Sequence, residues 1–401
     1  MHHQTEVENL ESRLWDAVVI GGGPAGAICA LKLARDSHKV LVVDRYHFPR
    51  HKACGDLLIP DSLGVLERVG LSDRVAEQAL RIKQIRVFSP SRVEFGIAGR
   101  YFAIKRYDFD SLLMHAAVDA GAVFAHGTAV SADFCDDEPA CVQLAGKGTG
   151  LKGRVVVLAT GADIELAQKQ QMVEHPTASA VAIRKYVKSS AKIENIILSY
   201  DRSLVPGYAW IIPVGAGEYN VGCGVRLYDK DSKPPNLKRM LRQFLDSFPL
   251  GRELQKGETE SSKIAGAALR CGLLGCRQIV RDNLVLIGEV IGTTFPFSGE
   301  GIGKAMHTGE LAADAISAAL KGNDLTKLQD YPRAVAAEIA PRYKGYLQAE
   351  RWLAHPWLND FVARRVVKSP YLLGELEQIV AETGDPRSTF GLGGVLKSFW
   401  K

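Results

Sequence analysis

Trp15-Asp16-Ala17-Val18-Val19-Ile20-Gly21-Gly22-Gly23-Pro24-Ala25-Gly26, continued by a helical segment to Arg35 and by Val40-Leu41-Val42-Val43-Asp44, is the stretch whose reading decides the fold. An apolar run of strand type enters a glycine turn, a helix leaves it, and a second apolar run ends on an acid. Gly21 permits the tight turn, Gly23 lets a pyrophosphate approach the backbone, and Gly26 lets helix and strand pack closely. The helix N-terminus adds free N–H groups and a partial positive charge. Asp44 stands where an acid accepts hydrogen bonds from an adenosine ribose. A glycine turn alone is a weak signal, but strand, helix and terminal acid in this order define a dinucleotide site.

Outward from that unit, Arg45 to Pro60 reads as an irregular loop carrying Lys52, Ala53, Cys54 and Gly55, and Asp61 to Val69 as a short amphipathic helix. Alternation from Ile82 to Ala103 predicts two strands joined at Ser89-Pro90-Ser91. A helix follows Arg106, with Asp108 as its expected N-cap and Gly121 as its stop. Cys135 to Leu144 reads as a hairpin arm, and Val155-Val156-Val157-Leu158 as a buried strand running into Gly161 at the ligand crevice. Residues 176–228 are β-rich, Asn236 to Phe248 is helical, and Ile264 to Ala268 begins the expected return to the first domain. Leu284 to Ile287 is another buried strand, ending in Gly288-Glu289. The loop Pro296 to Gly301 then opens a long helix from Ile302 to Leu320, stopped by Gly322. The remaining chain is mostly helical, broken by Pro332, Pro341, Pro356, Pro370 and Pro386.

The expected fold class is therefore α/β. A Rossmann-like nucleotide domain is split over 13–60, 100–165 and 266–325; a β-rich substrate layer spans 61–99 and 166–265; a helical region spans 326–401. A nicotinamide dehydrogenase normally completes its nucleotide domain in one contiguous stretch, so this interleaving favours a bound flavin. Glu289 suits the ribityl hydroxyls of FAD. Gly299, Gly301 and Ile302 present N–H groups where a reduced flavin carries negative charge on its N1/C2 side. Arg106 is a candidate for the pyrophosphate.

Composition narrows the class further. A charged fraction of 24% with a net charge of +5 is mild, and basic runs interleaved with aromatics are lacking, so nucleic acid is not the expected partner. The cysteines at 29, 54, 135, 141, 223, 271 and 276 have neither a disulfide nor a zinc spacing, which fits a reducing cytoplasm and no metal. No apolar run reaches membrane-spanning length. Phe390, Leu392, Val395, Phe399 and Trp400 leave a peripheral membrane contact open, against a packed or disordered tail.

These motifs resemble the FAD-dependent hydroxylase superfamily, on the first glycine turn, on Arg106 with Phe109-Asp110, and on Gly288-Glu289 followed by Pro296 and Gly299-Glu300-Gly301-Ile302. Within it, Lys52-Ala53-Cys54-Gly55-Asp56 and Tyr208-Ala209-Trp210-Ile211-Ile212-Pro213 are similar to the geranylgeranyl reductase branch, with Ile212 where that pattern has phenylalanine. The resemblance implies FAD held by Gly21, Gly23, Pro24, Ala25, Gly26, Asp44, Arg45, Lys52, Ala53, Cys54, Arg106, Gly161, Gly288, Glu289, Gly299, Gly301 and Ile302. It also implies hydride transfer from reduced FAD to a C=C bond of a prenyl or other lipid-like substrate, with Cys54, Tyr208 and Trp210 as the catalytic set. The sequence shows no second dinucleotide domain, so the electron donor is left open among NADPH, reduced ferredoxin as a partner protein and a separate flavin reductase.

His51 and Lys52 are expected to lower the Cys54 thiol pKa; an inert buried cysteine is the plain alternative. Tyr208 and Trp210, two apart on a strand, share a face and line either an apolar tunnel or a core. A flavin-dependent monooxygenase or halogenase is the enzymatic rival, since Tyr208 to Pro213 is also similar to a W-x-W-x-I-P strand. A flavoprotein that only senses redox state or binds lipid is the non-enzymatic one.

Overall fold

The computed structural model describes residues 10–135, 138–146, 150–174, 178–227, 235–296 and 298–389. The strands, in chain order, are β1 (Leu14–Ile20), β2 (Val40–Asp44), β3 (Leu57–Leu58), β4 (Leu80–Phe88), β5 (Glu94–Ala103), β6 (Val123–His126), β7 (Ala129–Cys135), β8 (Glu138–Leu144), β9 (Gly150–Leu158), β10 (Ala180–Ser189), β11 (Ile196–Ser199), β12 (Gly207–Gly215), β13 (Glu218–Arg226), β14 (Glu258–Ser261), β15 (Ala265–Leu269), β16 (Val280–Arg281) and β17 (Leu284–Leu286). The helices used below are α1 (Pro24–Arg35), α2 (Pro60–Arg68), α3 (Arg106–Asp119), α4 (Leu237–Ser247), α5 (Ile302–Gly322), α6 (Asp330–Ala334), α7 (Ala340–Leu353), α8 (Pro356–Lys368), α9 (Pro370–Val380) and α10 (Pro386–Thr389).

Two sheets divide the molecule. The first has the order β16-β17-β9-β1-β2-β6. Its central pairings, β2 and β9 on β1, β6 on β2 and β17 on β9, are all parallel. All five residues of β2 are buried, as are the last four of β1. Strands buried on both faces read as continuous apolar runs, which is why this unit was legible. The β7–β8 hairpin pairs antiparallel with itself and with β9.

The second sheet has the order β14-β10-β13-β12-β11-β4-β5-β3, with β15 also on β10. On β12 and β13, Ala209, Ile211, Val221 and Cys223 pack on one face against α4 through Phe244 and Leu241. Trp210, Ile212 and Tyr208 belong to the opposite face, in the large core that also takes in α1 and α5. This alternation puts one apolar face of the sheet toward the nucleotide unit.

α5 crosses α1 closely. A Cβ on Gly309 would stand 2.2 Å from the Ala25 carbonyl oxygen, so only glycine permits the approach.

Several expectations are corrected. Ala265–Leu269 does not return to the first sheet; β15 pairs antiparallel with β10 of the second. β5 belongs wholly to the second sheet, including residues 100–103. The N-cap of α3 is Lys105, and Asp108 lies inside the first turn. α5 ends at Asn323 in the left-handed conformation (φ +48°), one residue past Gly322.

Pro341, Pro356 and Pro370 open their helices at the first turn, where a missing N–H costs nothing. Pro341 cannot bond the carbonyl four residues back, and a π-helical turn, Val335–Ile339, precedes it. The apolar tail from Phe390 to Trp400 lies outside the described residues. Among the described residues no helix is long and apolar enough to cross a membrane.

Candidate active site

A cavity of 630 Å³ runs from the first glycine turn, past the carboxyl ends of β9 and β17, to the apolar face of the second sheet. At its nucleotide end Gly21 has φ +104° and donates its N–H to the Val43 carbonyl at 2.8 Å. A Cβ there would stand 2.4 Å from the Ala159 oxygen, and one on Gly26 1.9 Å from the Gly21 oxygen. Both glycines are demanded by packing. Gly26, unlike the other expected FAD-contacting residues, is not in the cavity wall. Gly23 meets only the Arg50 side chain, at 3.5 Å, so its floor is open. Asp44 accepts from the Gly22 N–H at 2.7 Å and the Tyr46 N–H at 2.9 Å, which fixes its carboxylate and leaves lone pairs free.

Arg106 is not the exposed arginine its loop position suggests. It is 8% exposed and makes a bidentate pair with Asp110, at 2.5 and 2.7 Å. Asp110 is fully buried and also takes Arg50 at 3.1 Å. Two guanidinium groups on one carboxylate leave a net positive charge beside the glycine turn, where a pyrophosphate belongs. Arg50 was not among the expected site residues; the i, i+4 spacing of Arg106 and Asp110 was the available signal. Arg45 reaches Asp163 at 2.9 Å across the cavity mouth.

The loop after β2 is held by a network that the sequence did not reveal. Asp56, fully buried at φ +62°, accepts from the Arg106 N–H at 3.1 Å, the Tyr186 hydroxyl at 2.6 Å and the Asn220 Nδ2 at 2.8 Å. Asn220 also donates to the Cys54 carbonyl at 2.7 Å and accepts from the Trp210 indole at 2.9 Å. The signal was a lone polar residue within the apolar run from Tyr219 to Val225. Trp210 is thus oriented by the same amide that positions Cys54. The expected lowering of the thiol pKa by His51 and Lys52 is corrected: burial pushes the Cys54 thiol up, and the opposing cation is Arg106. Its proton stays on at neutral pH.

At the flavin end Gly161 (φ +70°) leaves open the space before Glu289, whose Oε2 a Cβ would approach only to 3.9 Å. Glu289 accepts from the Arg270 N–H at 3.3 Å; burial raises its pKa, and Lys52 opposes the rise. Gly288 (φ +71°) donates its N–H to the Thr308 hydroxyl at 2.9 Å.

Tyr208 donates its hydroxyl to the Ser298 carbonyl, tying β12 to the Gly299–Ile302 loop. Its ring is 5.9 Å from that of Trp210. Glu300 has its pKa raised to about 8 by burial, with Asp61 adding to the rise. Neither α1, capped by Gly23, nor α5, capped by Gly301, has a side-chain cap, so their first N–H groups are available to a ligand.

Two uncapped helix N-termini, a twice-paired buried carboxylate and glycines at the points of closest approach fit the pyrophosphate and the ring edge of FAD. Among the described residues no cluster of His, Cys, Asp or Glu could hold a metal ion. Fold and site together define an FAD-dependent oxidoreductase. Residues 15–340 match the family model described as FAD binding domain, and the chain belongs to that family, in the superfamily that includes the geranylgeranyl reductases.

Among its relatives is menaquinone reductase of Mycobacterium tuberculosis, 30% identical over 84% of this chain and 82% of that protein. Digeranylgeranylglycerophospholipid reductase 3 of Methanosphaera stadtmanae is 25% identical over 83% of this chain and 85% of its own. Two solved structures share the fold at 20% identity. A geranylgeranyl bacteriochlorophyll reductase-like protein of Thermoplasma acidophilum has a TM-score of 0.76, covering 97% and 96% of the two chains. The flavin-dependent brominase Bmp2 has 0.77, covering 97% and 98%.

Proposed function

We propose that the protein saturates C=C bonds in the prenyl chain of a lipid, using FAD and an external reductant such as NADPH or reduced ferredoxin. The observation that carries this reading is the apolar face of β11 and β12, with Leu198, Tyr208, Trp210 and Ile212 in the cavity wall and Tyr208 bonded to the loop before α5. A hydrocarbon chain gains from burial on such a face by about 0.8 kcal/mol per CH₂. The names of the relatives, a menaquinone reductase and a digeranylgeranylglycerophospholipid reductase, favour substrates with prenyl chains.

Reduced FAD supplies the hydride for one alkene carbon. The chain's own residues exclude water, hold the double bond flat against Trp210, and deliver a proton to the other carbon. Cys54 is the group we assign to the proton, because its thiol remains protonated at neutral pH. Tyr208 fixes the loop at Gly299–Ile302, and burial keeps its phenol neutral.

The test is anaerobic: FAD-loaded protein, dithionite, and menaquinone or a geranylgeranyl phospholipid, with products weighed after return to air. A quinol loses its added hydrogens in air and a saturated chain keeps them, so a lasting gain of two mass units per bond supports the reading. Turnover confined to the quinone ring would overturn it.

The brominase likeness keeps an oxygen-using monooxygenase or halogenase as the second reading. Substrate-dependent oxygen uptake with no anaerobic product would select it.

A further inference from the structure

The cavity wall holds arginines at 45, 50, 106, 184 and 226. Four have carboxylate partners: Arg45 with Asp163 at 2.9 Å, Arg50 and Arg106 with Asp110 at 3.1 and 2.5 Å, and Arg226 with Glu350 at 2.5 Å. Arg184 does not. It is 5% exposed, its guanidinium lies 4.2 Å from the Tyr186 ring centre, and its Nε is buried with no hydrogen-bond partner among the described residues. Asp56 feels its charge, yet the Asp56 oxygens are already taken by Arg106, Tyr186 and Asn220. A buried guanidinium is stable when an anion or strong acceptor completes it.

Its position says which ligand. Arg184 on β10 pairs with Gly222 on β13, which pairs with Trp210 on β12. Cross-strand partners share a face, so Arg184 and Trp210 stand on the cavity face with no side chain between them. A Cβ on Gly222 would lie 2.3 Å from Trp210 Cζ2, so the indole itself leans across the gap toward β10. The phosphates of a bound dinucleotide would have their own cations at Arg50 and Arg106, and the N1/C2 edge of its flavin would have the N-terminus of α5. Arg184 lies on the other wall.

We propose that Arg184 is the subsite for a strongly hydrogen-bond-accepting oxygen, phosphate or quinone carbonyl, on the substrate's head group, reached past Trp210 from the double bond. Two sources carry that chemistry: a phosphate, and the oxygen of a quinone or quinol. The guanidinium fork gives such an oxygen directional donors. This rests on the reading of the cavity as a prenyl-lipid site.

The test is binding, followed by perturbation of the flavin absorbance in the FAD-loaded protein, so that it does not depend on turnover. Geranylgeranyl diphosphate, menaquinone in detergent and neutral geranylgeraniol are titrated into wild type, Arg184→Lys and Arg184→Met. The expected result is a tenfold or greater loss of affinity in Arg184→Met for the diphosphate, for the quinone or for both. Geranylgeraniol should change less than twofold, and Arg184→Lys should recover part of the loss. The probe that suffers identifies the source.

Equal losses for all three probes, no loss for any, or no binding of either the diphosphate or the quinone to wild type would overturn the subsite. Release of FAD from Arg184→Met at an unchanged melting temperature would overturn it too, by assigning the guanidinium to the cofactor. Arg184-dependent binding without saturation of a C=C bond would leave the subsite standing and reject the reductase reading.

Discussion

Cys54 sits where a nucleophile would be looked for, yet its surroundings deny it that chemistry. Burial raises the thiol pKa, and the carbonyl of the same residue is anchored by Asn220. In FAD-loaded protein, iodoacetamide at pH 7.5 should leave Cys54 unlabelled by mass spectrometry over a time that fully labels a free cysteine peptide. Rapid labelling would mean a thiolate. Cys54→Ala should keep its flavin and lower the rate of saturation at least tenfold, whereas a purely structural cysteine would leave the rate within twofold. Gly26 makes the complementary point. A methyl there meets the Gly21 carbonyl carbon and oxygen, which are backbone and cannot step aside. Gly26→Ala should destabilise by about 1–3 kcal/mol and reduce bound FAD, as read by thermal melting and by the flavin absorbance.

At the scale of elements, the second sheet and the early loop are joined by one amide. Replacing Asn220 with Leu removes its bonds to Cys54, Asp56 and Trp210, and leaves buried acceptors short of a donor. The expected cost is about 2–4 kcal/mol, with the Trp210 fluorescence shifted; an unchanged melting temperature would show that the network is dispensable.

Elements also mark how far the sequence could be read. The first βαβ unit and α5 were legible because their signals are local, a glycine turn and a small-residue face. The allegiance of β15 was not, since a strand with Ala or Gly at four of its five positions pairs equally well with either sheet and only the distant β10 decides. Arg106 was assigned by loop position, while its i, i+4 carboxylate lay in view four residues on. The chain after residue 325 reads from sequence only as a helical region broken by prolines, outside the motifs that carry the resemblance. In the structure Tyr331 donates to the Leu286 carbonyl at 2.9 Å, Tyr343 bonds the Thr293 carbonyl, and Glu350 of α7 enters the cavity wall.

For the molecule as a whole, the buried carboxyls set a pH dependence. Glu300 has a folded pKa of about 8, raised by burial from 4.5, and Glu350 one of about 7, also raised by burial. A raised carboxyl pKa means that the folded chain binds protons the unfolded chain has released. The associated stability is full below the unfolded pKa and is lost as pH rises through the folded one. His307, lowered to about 4 by burial, works in the opposite sense, but only below about pH 6.5. Between pH 6.5 and 8 the melting temperature should therefore fall, and Glu300→Gln should flatten the slope. A rising or level wild-type curve in that window would refute the assignment.

The strip of β13 under Trp210 and Tyr208 has a further consequence. Gly222 and Gly224 pair with those two residues, and neither contributes a side chain to the cavity face. On the proposed prenyl-lipid reading, selectivity here would be set by missing atoms, and the strip would act as a thickness gauge that admits what is flat and slender. Gly224 is the adjustable notch. A methyl there would meet the Ala182 Cβ at 3.2 Å, a contact that a small shift relieves, whereas one on Gly222 strikes the indole. Homologues that differ in substrate width would then be expected to differ at this notch before they differ at any residue that touches the flavin.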